Sequence, residues 1–373
     1  MNTKLTSLLC CPVDRSVLRL ESLNDRTLGN GEKVIIDGWL LCEACHQKFP
    51  IIDEIAFIAE IELLDRIEPV RRFWTERGAI PQRVQSTSQS GNALLREVQT
   101  FWSDRPTAGK WDTDEEQMEG LERWRRESHP WLESFAGYER HSAQLMLEVG
   151  CGQGLCTYRF AENGANVVAL DLSFDSIVLA QKRLRRKGLS DKVDLVLGNA
   201  QSLPFLDDRF DFVYSFGVIH HSPDTAACVR EIARVVKSGS FVLVMYYYTW
   251  SLTKLIEASA RLANRVLTWV TGDEQAFLKL ARRMLGGYAD KHTAQFLKTG
   301  KAATLHAPVI HTYSRRQTLA MFTAAGFTNI QFALTHLSEE VAFVLSKLRM
   351  SSLIPILARR VGWDLITTAT KRG

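Results

Sequence analysis

The sequence has 373 residues and a formal net charge of +4, with 46% hydrophobic and 24% charged residues. These proportions predict a globular protein with a sizeable core, and they argue against an intrinsically disordered chain. The small net charge gives no support for nucleic-acid binding by itself, and no apolar run reaches the ~18 residues of a membrane span. We therefore expect a cytoplasmic protein without a transmembrane segment.

Four of the seven cysteines precede residue 46, which is not the spacing of a disulfide framework and indicates a metal in an intracellular protein. Cys11-Pro-Val-Asp14 and Cys42-Glu-Ala-Cys45 lie on either side of a predicted hairpin, with Asn30-Gly31 as its turn. Residues 1–60 are therefore predicted to form a small β module.

The second half of this module, GWLLCEACHQKFPIIDEIAFI, resembles the zinc-ribbon module of tRNA-methyltransferase activators, which is often fused ahead of methyltransferases. The resemblance implies a structural zinc held by four ligands, including Cys11, Cys42 and Cys45. Because Asp14 stands where the ribbon has its second cysteine, the fourth ligand would be Asp14, Cys10 or His46. The alternative is a metal-free remnant whose cysteines pack as small apolar residues.

Residues 61–137 are predicted to be a connector. Composition predicts a flexible linker over Gln82–Asn92. Beyond it, large aromatic residues recur among charged ones, namely Phe101, Trp102, Trp111, Trp124 and Trp131. This pattern is typical of a segment draped over a core, and the alternative is ordinary surface packing.

The stretch Leu145–Thr157, LMLEVGCGQGLCT, is a short apolar run followed by Gly150, Gly152 and Gly154. It predicts a buried strand, a glycine-rich turn and a helix whose first N–H groups face a bound ligand. Leu155 stands where a dinucleotide-binding fingerprint has its third glycine. An acid inside the motif, Glu148, favours a ligand that carries a cationic amine over one that carries a pyrophosphate.

Further strands and a helix are predicted downstream at βα spacing. The second strand ends in Asp171, an acid suited to accept hydrogen bonds from both ribose hydroxyls. The predicted strands are Asn166–Asp171, Val193–Asn199, Phe210–Ser215 and Phe241–Tyr247, and the predicted helix is Arg230–Lys237.

In this order, the motifs of residues 138–250 resemble the class I S-adenosylmethionine (SAM) dependent methyltransferases of the ubiquinone/menaquinone-methylase type. The resemblance implies an α/β fold, a Rossmann-like seven-stranded sheet with an antiparallel last strand, and SAM as cofactor. It also implies that the connector covers the SAM site or contributes to the substrate pocket. The implied cofactor-binding residues are Glu148, Gly150, Cys151, Gly152, Gln153, Gly154, Asp171, Leu172, Asn199, Ala200, Ser215, Phe216 and Gly217.

One position departs from the family, which usually has Asp where this chain has Asn199. The amino group of adenine would then be bound by the amide oxygen of Asn199 or by Gln201. The basic run Lys182–Lys187 closes a predicted helix, where cations complement the negative end of the helix dipole. We interpret this run as a solvated helix face and not as a nucleic-acid patch.

His220 and His221 follow the fourth strand, at the edge where the methyl group is expected. Methyl transfer from a sulfonium is an in-line displacement that needs positioning and, for some nucleophiles, deprotonation. Histidine is a base near neutral pH, so both are candidate catalytic residues, the alternative being a structural role in the loop before Pro223. Tyr246–Tyr248 and Trp250 form a predicted aromatic wall, although plain β propensity also explains the tyrosines.

Residues 251–310 are predicted to be a helical insertion above the carboxyl ends of the strands, either a lid or an ordinary amphipathic cap. A second helix is predicted there over Phe277–Leu285. Residues 311–373 are predicted to complete the sheet. The predicted elements are the helix Arg315–Ala325 with Ser314 as its N-cap, the strands Thr328–Leu334 and Asp364–Lys371, and helix over Glu340–Arg360 interrupted near Pro355.

The leading hypothesis is a SAM-dependent methyltransferase that acts on oxygen, carbon or nitrogen of a small or lipid-linked molecule. A second hypothesis is an RNA base methyltransferase, since a cysteine-rich ribbon also precedes this core in ribosomal RNA guanine methyltransferases. Against it, the segment after the fourth strand, SFGVIHHSPD, lacks an Asn-Pro-Pro-aromatic loop. A third hypothesis is a non-catalytic partner module, against which the intact glycines and Asp171 argue.

Overall fold

The computed structural model describes residues 1–81, 89–105, 115–273, 307–337 and 349–373, together with isolated positions between 276 and 346. The strands are β1 (Leu18–Thr27), β2 (Lys33–Cys42), β3 (Lys48–Ile52), β4 (Ile55–Ile58), β5 (Leu145–Val149), β6 (Asn166–Asp171), β7 (Val193–Gly198), β8 (Phe210–Phe216), β9 (Val236–Tyr248), β10 (Thr312–Tyr313), β11 (Phe327–Thr335) and β12 (Asp364–Lys371). The α-helices are α1 (Ile61–Leu64), α2 (Glu68–Glu76), α3 (Gln89–Asp104), α4 (Glu115–Ser128), α5 (Leu132–Ala136), α6 (Thr157–Glu162), α7 (Phe174–Arg186), α8 (Thr225–Val235), α9 (Leu252–Thr271), α10 (Arg315–Ala324) and α11 (Ile354–Val361).

The strands form one sheet in the order β1-β2-β3-β4-β7-β6-β5-β8-β9-β12-β11, with β10 paired to β9. Strands β5 to β9 pair in parallel, whereas β12 runs antiparallel to both β9 and β11. The part from β7 to β11 is the expected seven-stranded Rossmann-like sheet with an antiparallel last strand. This architecture gathers the carboxyl ends of the parallel strands at one edge, where ligands bind in such sheets.

The N-terminal module does not have a sheet of its own. Its last strand, β4, pairs in parallel with β7, so that Ile58 lies opposite Gly198. A Cβ at Gly198 would lie 2.7 Å from Cδ1 of Leu170 and 3.3 Å from the carbonyl oxygen of Ile58, so this contact requires glycine. The predicted hairpin is confirmed as β1 and β2, whose turn contains Gly31 at φ +84°. The sequence predicted the module but not the pairing of its last strand with β7.

One predicted helix and one predicted strand have the wrong bounds. The expected helix Arg230–Lys237 is α8, which starts earlier because the side chain of Asp224 accepts a hydrogen bond from the N–H of Ala227 at 2.9 Å. Strand β9 begins at Val236, which already has extended φ and ψ, and not at Phe241.

The connector contains α1 to α5. Of the predicted linker Gln82–Asn92, residues 82–88 lie outside the described part of the chain, whereas residues 89–92 belong to α3, so a linker there is wrong. A helix can form at this point because glycine and polar residues are tolerated in a first turn once the following residues are apolar at helical spacing. Trp111 lies outside the described residues. The domain boundaries at 60, 137, 250 and 310 remain predictions.

The C-terminal elements close the sheet much as expected. Ser314 and Gln317 form a capping box at the start of α10, and β12 has the predicted bounds. The interruption expected near Pro355 lies just before it, where Ser351–Leu353 form a 3₁₀ turn. Pro355 itself lies in the first turn of α11, where its missing N–H has no intrahelical partner to lose. The predicted helix Phe277–Leu285 and most of residues 338–348 fall outside the described residues. No helix in the described part is both long and apolar enough to cross a membrane.

Candidate functional site

The glycine turn between β5 and α6 has the expected geometry. Gly150, Gly152 and Gly154 all have positive φ, at +81°, +54° and +77°. A Cβ at Gly150 would lie 2.2 Å from Cγ2 of Val218, so backbone conformation and space both require glycine there. The turn therefore brings its backbone close to the carboxyl ends of β5 and β8.

Asp171, the last residue of β6, is tied to this turn. One carboxylate oxygen accepts a hydrogen bond from the N–H of Gly152 at 2.8 Å, and the other accepts one from the N–H of Ser173 at 2.9 Å. Burial raises the pKa of Asp171, and these backbone hydrogen bonds oppose that rise. Each oxygen keeps lone-pair capacity for a further donor, as recognition of two ribose hydroxyls requires.

Glu148 lies beneath the turn and is buried. Its carboxylate accepts a hydrogen bond from the hydroxyl of Thr157 at 2.5 Å. Burial raises the pKa of Glu148 to about 8, and the nearby Asp171 adds to the rise. A ligand ammonium group in this position would stabilise the ionised form of Glu148.

At the end of β7, the amide groups proposed to bind adenine are engaged with the chain. The oxygen of Asn199 accepts a hydrogen bond from the N–H of Gln201, and the side-chain oxygen of Gln201 accepts one from the N–H of Asp224. The amide nitrogen of Asn199 donates to Oε1 of Glu60 at 2.9 Å. Sequence reasoning missed Glu60, because only the pairing of β4 with β7 brings it here.

The end of β8 is covered by the connector. The hydroxyl of Ser215 donates to the carbonyl of Val149 at 3.1 Å, and Gly217 has φ +76°. The ring of Phe216 packs against Trp131, with centroids 5.8 Å apart, and the guanidinium of Arg125 lies 4.9 Å from its centroid. The connector therefore contributes side chains above the carboxyl edge of the sheet; a role in covering the cofactor or lining a substrate pocket stays a prediction.

Two further histidines of this region were not predicted. His129 stacks on His336 at 4.7 Å, and its ring lies 6.2 Å from that of Phe216. Burial and the neighbouring Arg125 lower the pKa of His129 to about 2 and that of His336 to about 4. Both imidazoles are therefore uncharged at neutral pH, which suits an apolar, aromatic pocket wall.

His220 and His221 are both buried at the same edge. Nδ1 of His221 lies 2.9 Å from the carbonyl oxygen of Val309, so it carries the proton and leaves Nε2 as an acceptor. The His221 ring packs against Trp102 at 4.9 Å, and the His220 ring against Tyr247 at 4.2 Å. Burial lowers the pKa of both, that of His221 to about 4, so both are neutral at neutral pH.

A row of polar side chains crosses the three strands at this edge. Asp364 lies opposite Tyr247 across β12 and β9, and opposite Thr335 across β12 and β11. Residues opposite each other in antiparallel pairs share a face. Oδ2 of Asp364 and the hydroxyl of Thr335 are buried without a hydrogen-bond partner within the described residues. Burial raises the pKa of Asp364 to about 8, and this residue was also missed from the sequence.

The basic run is not a fully solvated face, as we had interpreted it. Arg183 is buried and forms an ion pair with Glu122 of α4, while its Nε donates to the carbonyl of Gln153 at 3.0 Å. Lys187 also pairs with Glu122, at 3.2 Å. These contacts fix the connector and the glycine turn to α7.

The N-terminal module gathers four side chains with metal-binding atoms. Ligand atoms of Cys11, Asp14, Cys42 and Cys45 all lie within 4.8 Å of one another, and neither Cys10 nor His46 belongs to this group. Sγ of Cys11 and Cys45 are 3.6 Å apart, and Sγ of Cys42 is 3.3 Å from Asp14. Tetrahedral zinc with thiolate ligands at ~2.3 Å has ligand separations of this size, so the set fits the metal.

The fold, the glycine turn and the acid beside it, Asp171, together define a class I methyltransferase-type domain. Residues 147–244 match the methyltransferase domain family, and residues 2–54 match the Trm112p-like protein family. The chain thus combines a methyltransferase-family domain with an N-terminal Trm112p-like module.

Curated relatives are similar over part of their length. Methyltransferase GfsG of Streptomyces halstedii is 30% identical over 43% of this chain and 56% of its own length. Sterol 24-C-methyltransferase erg6 of Aspergillus fumigatus is 32% identical over 34% of this chain and 35% of its own. Demethylmenaquinone methyltransferase of Lactiplantibacillus plantarum is 28% identical, over 50% and 71%. The matched part of the chain therefore covers only about half of the length of GfsG and about a third of the length of erg6.

Solved structures are similar at low sequence identity. The YcgJ protein of Bacillus subtilis is 16% identical with a TM-score of 0.40, over 66% of this chain and 99% of its own. A complex of the Haloferax volcanii Trm112 methyltransferase activator with a putative methyltransferase is also 16% identical, with a TM-score of 0.43, over 69% and 96%.

Proposed function

We propose that this protein is a SAM-dependent methyltransferase that transfers a methyl group to a small or lipid-linked acceptor. The observation that carries the proposal is the junction of Asp171 with the glycine turn, through its 2.8 Å hydrogen bond with the N–H of Gly152. None of the seven cysteines forms a disulfide, which fits a reducing compartment such as the cytoplasm.

The residues around the turn divide the binding of SAM between them. Asp171 accepts hydrogen bonds from the ribose hydroxyls, Glu148 faces the amino group, and the backbone of Gly150–Gly154 approaches the amino-acid part. When bound, SAM supplies a methyl carbon activated by its sulfonium sulfur. The burial of Glu148 makes its ionisation depend on a cationic ligand, which favours a ligand with an ammonium group over a neutral one.

The acceptor pocket is proposed to lie between the connector and the face of the sheet that carries Phe216 and Asp364. Aromatic and uncharged imidazole rings exclude water and hold a flat or apolar acceptor. Nε2 of His221, the ring nitrogen without the proton, can accept a proton or a hydrogen bond from an acceptor hydroxyl or amine. Asp364, whose Oδ2 has no hydrogen-bond partner within the described residues, can form a hydrogen bond with the same group. The chain therefore positions the acceptor and moves its proton, and no covalent intermediate is required.

Helix α9 favours access for a lipid-linked acceptor. It starts directly after β9, at the carboxyl edge of the sheet. Exposed apolar side chains recur along it at spacings of seven, four and three residues, which keeps them on one face, namely Leu255, Leu262, Val266 and Trp269. The names of two relatives, a sterol and a demethylmenaquinone methyltransferase, also point to apolar substrates. We propose that α9 is a lid that contacts the lipid part of the acceptor.

The cysteine cluster is proposed to hold one structural zinc. Cys11, Cys42, Cys45 and Asp14 supply four ligands, so no position is left open for a substrate, as is typical of structural sites. Burial raises the pKa of Cys11 and Cys45, and zinc supplies the positive charge that would keep them as thiolates.

Calorimetric titration with SAM tests the proposal. We expect the parent chain to bind SAM and Asp171→Asn to lose at least tenfold in affinity, because the amide is uncharged and one of its two groups cannot accept. Asp65→Asn, at an exposed position of the connector, is the matched control. No SAM binding by the parent would leave only a partner module. Salt-sensitive RNA binding would instead favour the RNA methyltransferase, for which the match of residues 2–54 to the Trm112p-like family is the favouring observation.

A further inference from the structure

The N-terminal module reaches the edge of the sheet at which the cofactor is proposed to bind. Strands β4 and β7 are parallel, so both end at the same edge, with Ile58 opposite Gly198. Glu60 follows β4 and Asn199 follows β7, and Nδ2 of Asn199 donates to Oε1 of Glu60 at 2.9 Å. A carboxyl group from the module therefore lies directly beside the segment that resembles an adenine-binding segment.

One oxygen of this carboxyl group accepts no side-chain hydrogen bond within the described chain. Oε2 of Glu60 is buried and lacks a hydrogen-bond partner there. Burial raises the pKa of Glu60, and hydrogen bonds from its own backbone N–H and from Asn199 oppose the rise. A buried acceptor without a donor destabilises the fold, so such a group indicates a partner from outside the described chain.

The other two acceptors nearby each accept one hydrogen bond from the backbone already. The Asn199 oxygen accepts from the N–H of Gln201 at 2.9 Å, and the Gln201 side-chain oxygen accepts from the N–H of Asp224 at 3.1 Å. Among these three side chains, Glu60 is the one with an oxygen still to be satisfied.

We propose that Oε2 of Glu60 accepts a hydrogen bond from the exocyclic amino group of the cofactor's adenine, so that the N-terminal module contributes to cofactor specificity. This inference rests on the proposed function, since it assumes that SAM is the ligand. It also explains why position 199 can be Asn: the carboxyl group of Glu60, which follows β4, binds the amino group that a carboxylate at position 199 would otherwise bind.

Further contacts hold the module against the same segment. The hydroxyl of Ser202 donates to the carbonyl of Pro12 at 2.8 Å, and Arg15 donates to the carbonyl of Leu203 at 2.8 Å. The N–H of Cys10 donates to the carbonyl of Pro204 at 3.0 Å. Because the segment 199–204 is fixed by the module on one side, Glu60 has a defined position relative to any ligand bound there.

The test compares two ligands that differ at one edge of the base: S-adenosylhomocysteine, with an amino group on C6 and an unprotonated N1, and S-inosylhomocysteine, with a carbonyl at C6 and a proton on N1. Calorimetry is run on the full chain and on two variants, Glu60→Ala and Glu60→Gln. Glu62→Gln, a neighbouring acid in α1, is the control. Glu60→Gln keeps an oxygen for Asn199 and is therefore expected to fold.

We expect the parent to prefer the adenine ligand by about tenfold, the size of one buried hydrogen bond. Glu60→Ala should bind the adenine ligand about tenfold more weakly than the parent does. Glu60→Gln should show a smaller difference in affinity between the two ligands, because its amide can donate to the carbonyl of the inosine ligand. Unchanged affinities in both variants, with a parent that binds, overturn this inference alone. A parent that binds neither ligand overturns the proposed function and this inference together.

Discussion

Thr157 donates a hydrogen bond of 2.5 Å to the buried carboxylate of Glu148, and this bond joins the start of α6 to the end of β5 across the glycine turn. The turn is thus closed by side chains as well as by backbone. Any ligand that ionises Glu148 acts on this same bond.

Replacing Glu148 by Gln should make the ligand-free protein less sensitive to pH. The pKa of Glu148 is raised from 4.5 to about 8, so the folded state binds its proton more tightly than the unfolded state. The contribution of Glu148 to stability is therefore greatest below about pH 4.5 and falls as the pH rises to about 8, by up to 1.4 kcal/mol per pH unit. The melting temperature of Glu148→Gln relative to the parent should rise from pH 5 to pH 8.

The control for this experiment is Glu139→Gln, at an exposed surface position. Its melting temperature should follow that of the parent at every pH. The same Glu148→Gln variant should bind SAM at least tenfold more weakly, because it cannot become an anion beside the amino group. A melting-temperature difference that stays constant with pH would contradict the assignment.

Replacing Cys42 by Ser should remove the metal from the module. We expect about one zinc per parent chain by elemental analysis and a clear loss in Cys42→Ser, together with a lower melting temperature, because metal binding is coupled to folding. Cys228→Ser, in α8, is the matched control and should keep the metal. A purified parent chain that contains no metal would favour the alternative, a metal-free remnant of a zinc ribbon whose cysteines pack as small apolar residues.

His221→Ala should lower the turnover number by about 10²-fold without changing SAM affinity, because its Nε2, the ring nitrogen without the proton, is the proposed proton acceptor. His220→Ala should mainly lower the melting temperature, since its ring packs against Tyr247. Turnover is measured as transfer of labelled methyl from SAM to small molecules in an extract of the source organism. Full turnover in both variants would show that neither histidine acts as a base.

Helix α9 should bind the parent chain to anionic lipid vesicles. Its outward face carries Leu262 and Trp269, which are 64% and 86% exposed, and the helix has three basic residues and one acidic residue. Such helices lie in the membrane interface and are attracted by anionic lipids. The parent should sediment with vesicles of phosphatidylcholine and phosphatidylglycerol (4:1) at low salt, and Leu262→Ser/Trp269→Ser should not.

The control for vesicle binding is Leu319→Ser, which removes an exposed apolar side chain from α10 instead. It should sediment like the parent. Equal sedimentation of all variants, or a parent that stays in the supernatant, would exclude this role for α9.

Short-range signals determined much of the core. The bounds of β6 and β12 were predicted to the residue, and the capped start of α10 at Ser314 was predicted as well. The glycine turn was predicted because its conformation depends on its own residues: Gly150 and its neighbours adopt positive φ that other residues disfavour. Where a cap was overlooked, as with Asp224 before α8, the predicted bounds were wrong.

The tertiary structure alone decided what surrounds that core. Nothing in the sequence near Glu60 indicates a ligand, and it reaches Asn199 only because β4 extends the sheet beside β7. Asp364 faces Tyr247 and Thr335 only through the order of β9, β12 and β11, and Arg183 is buried only because α4 brings Glu122 to it. Local backbone conformation depends on a few consecutive residues, whereas contacts between distant strands depend on how the whole chain packs.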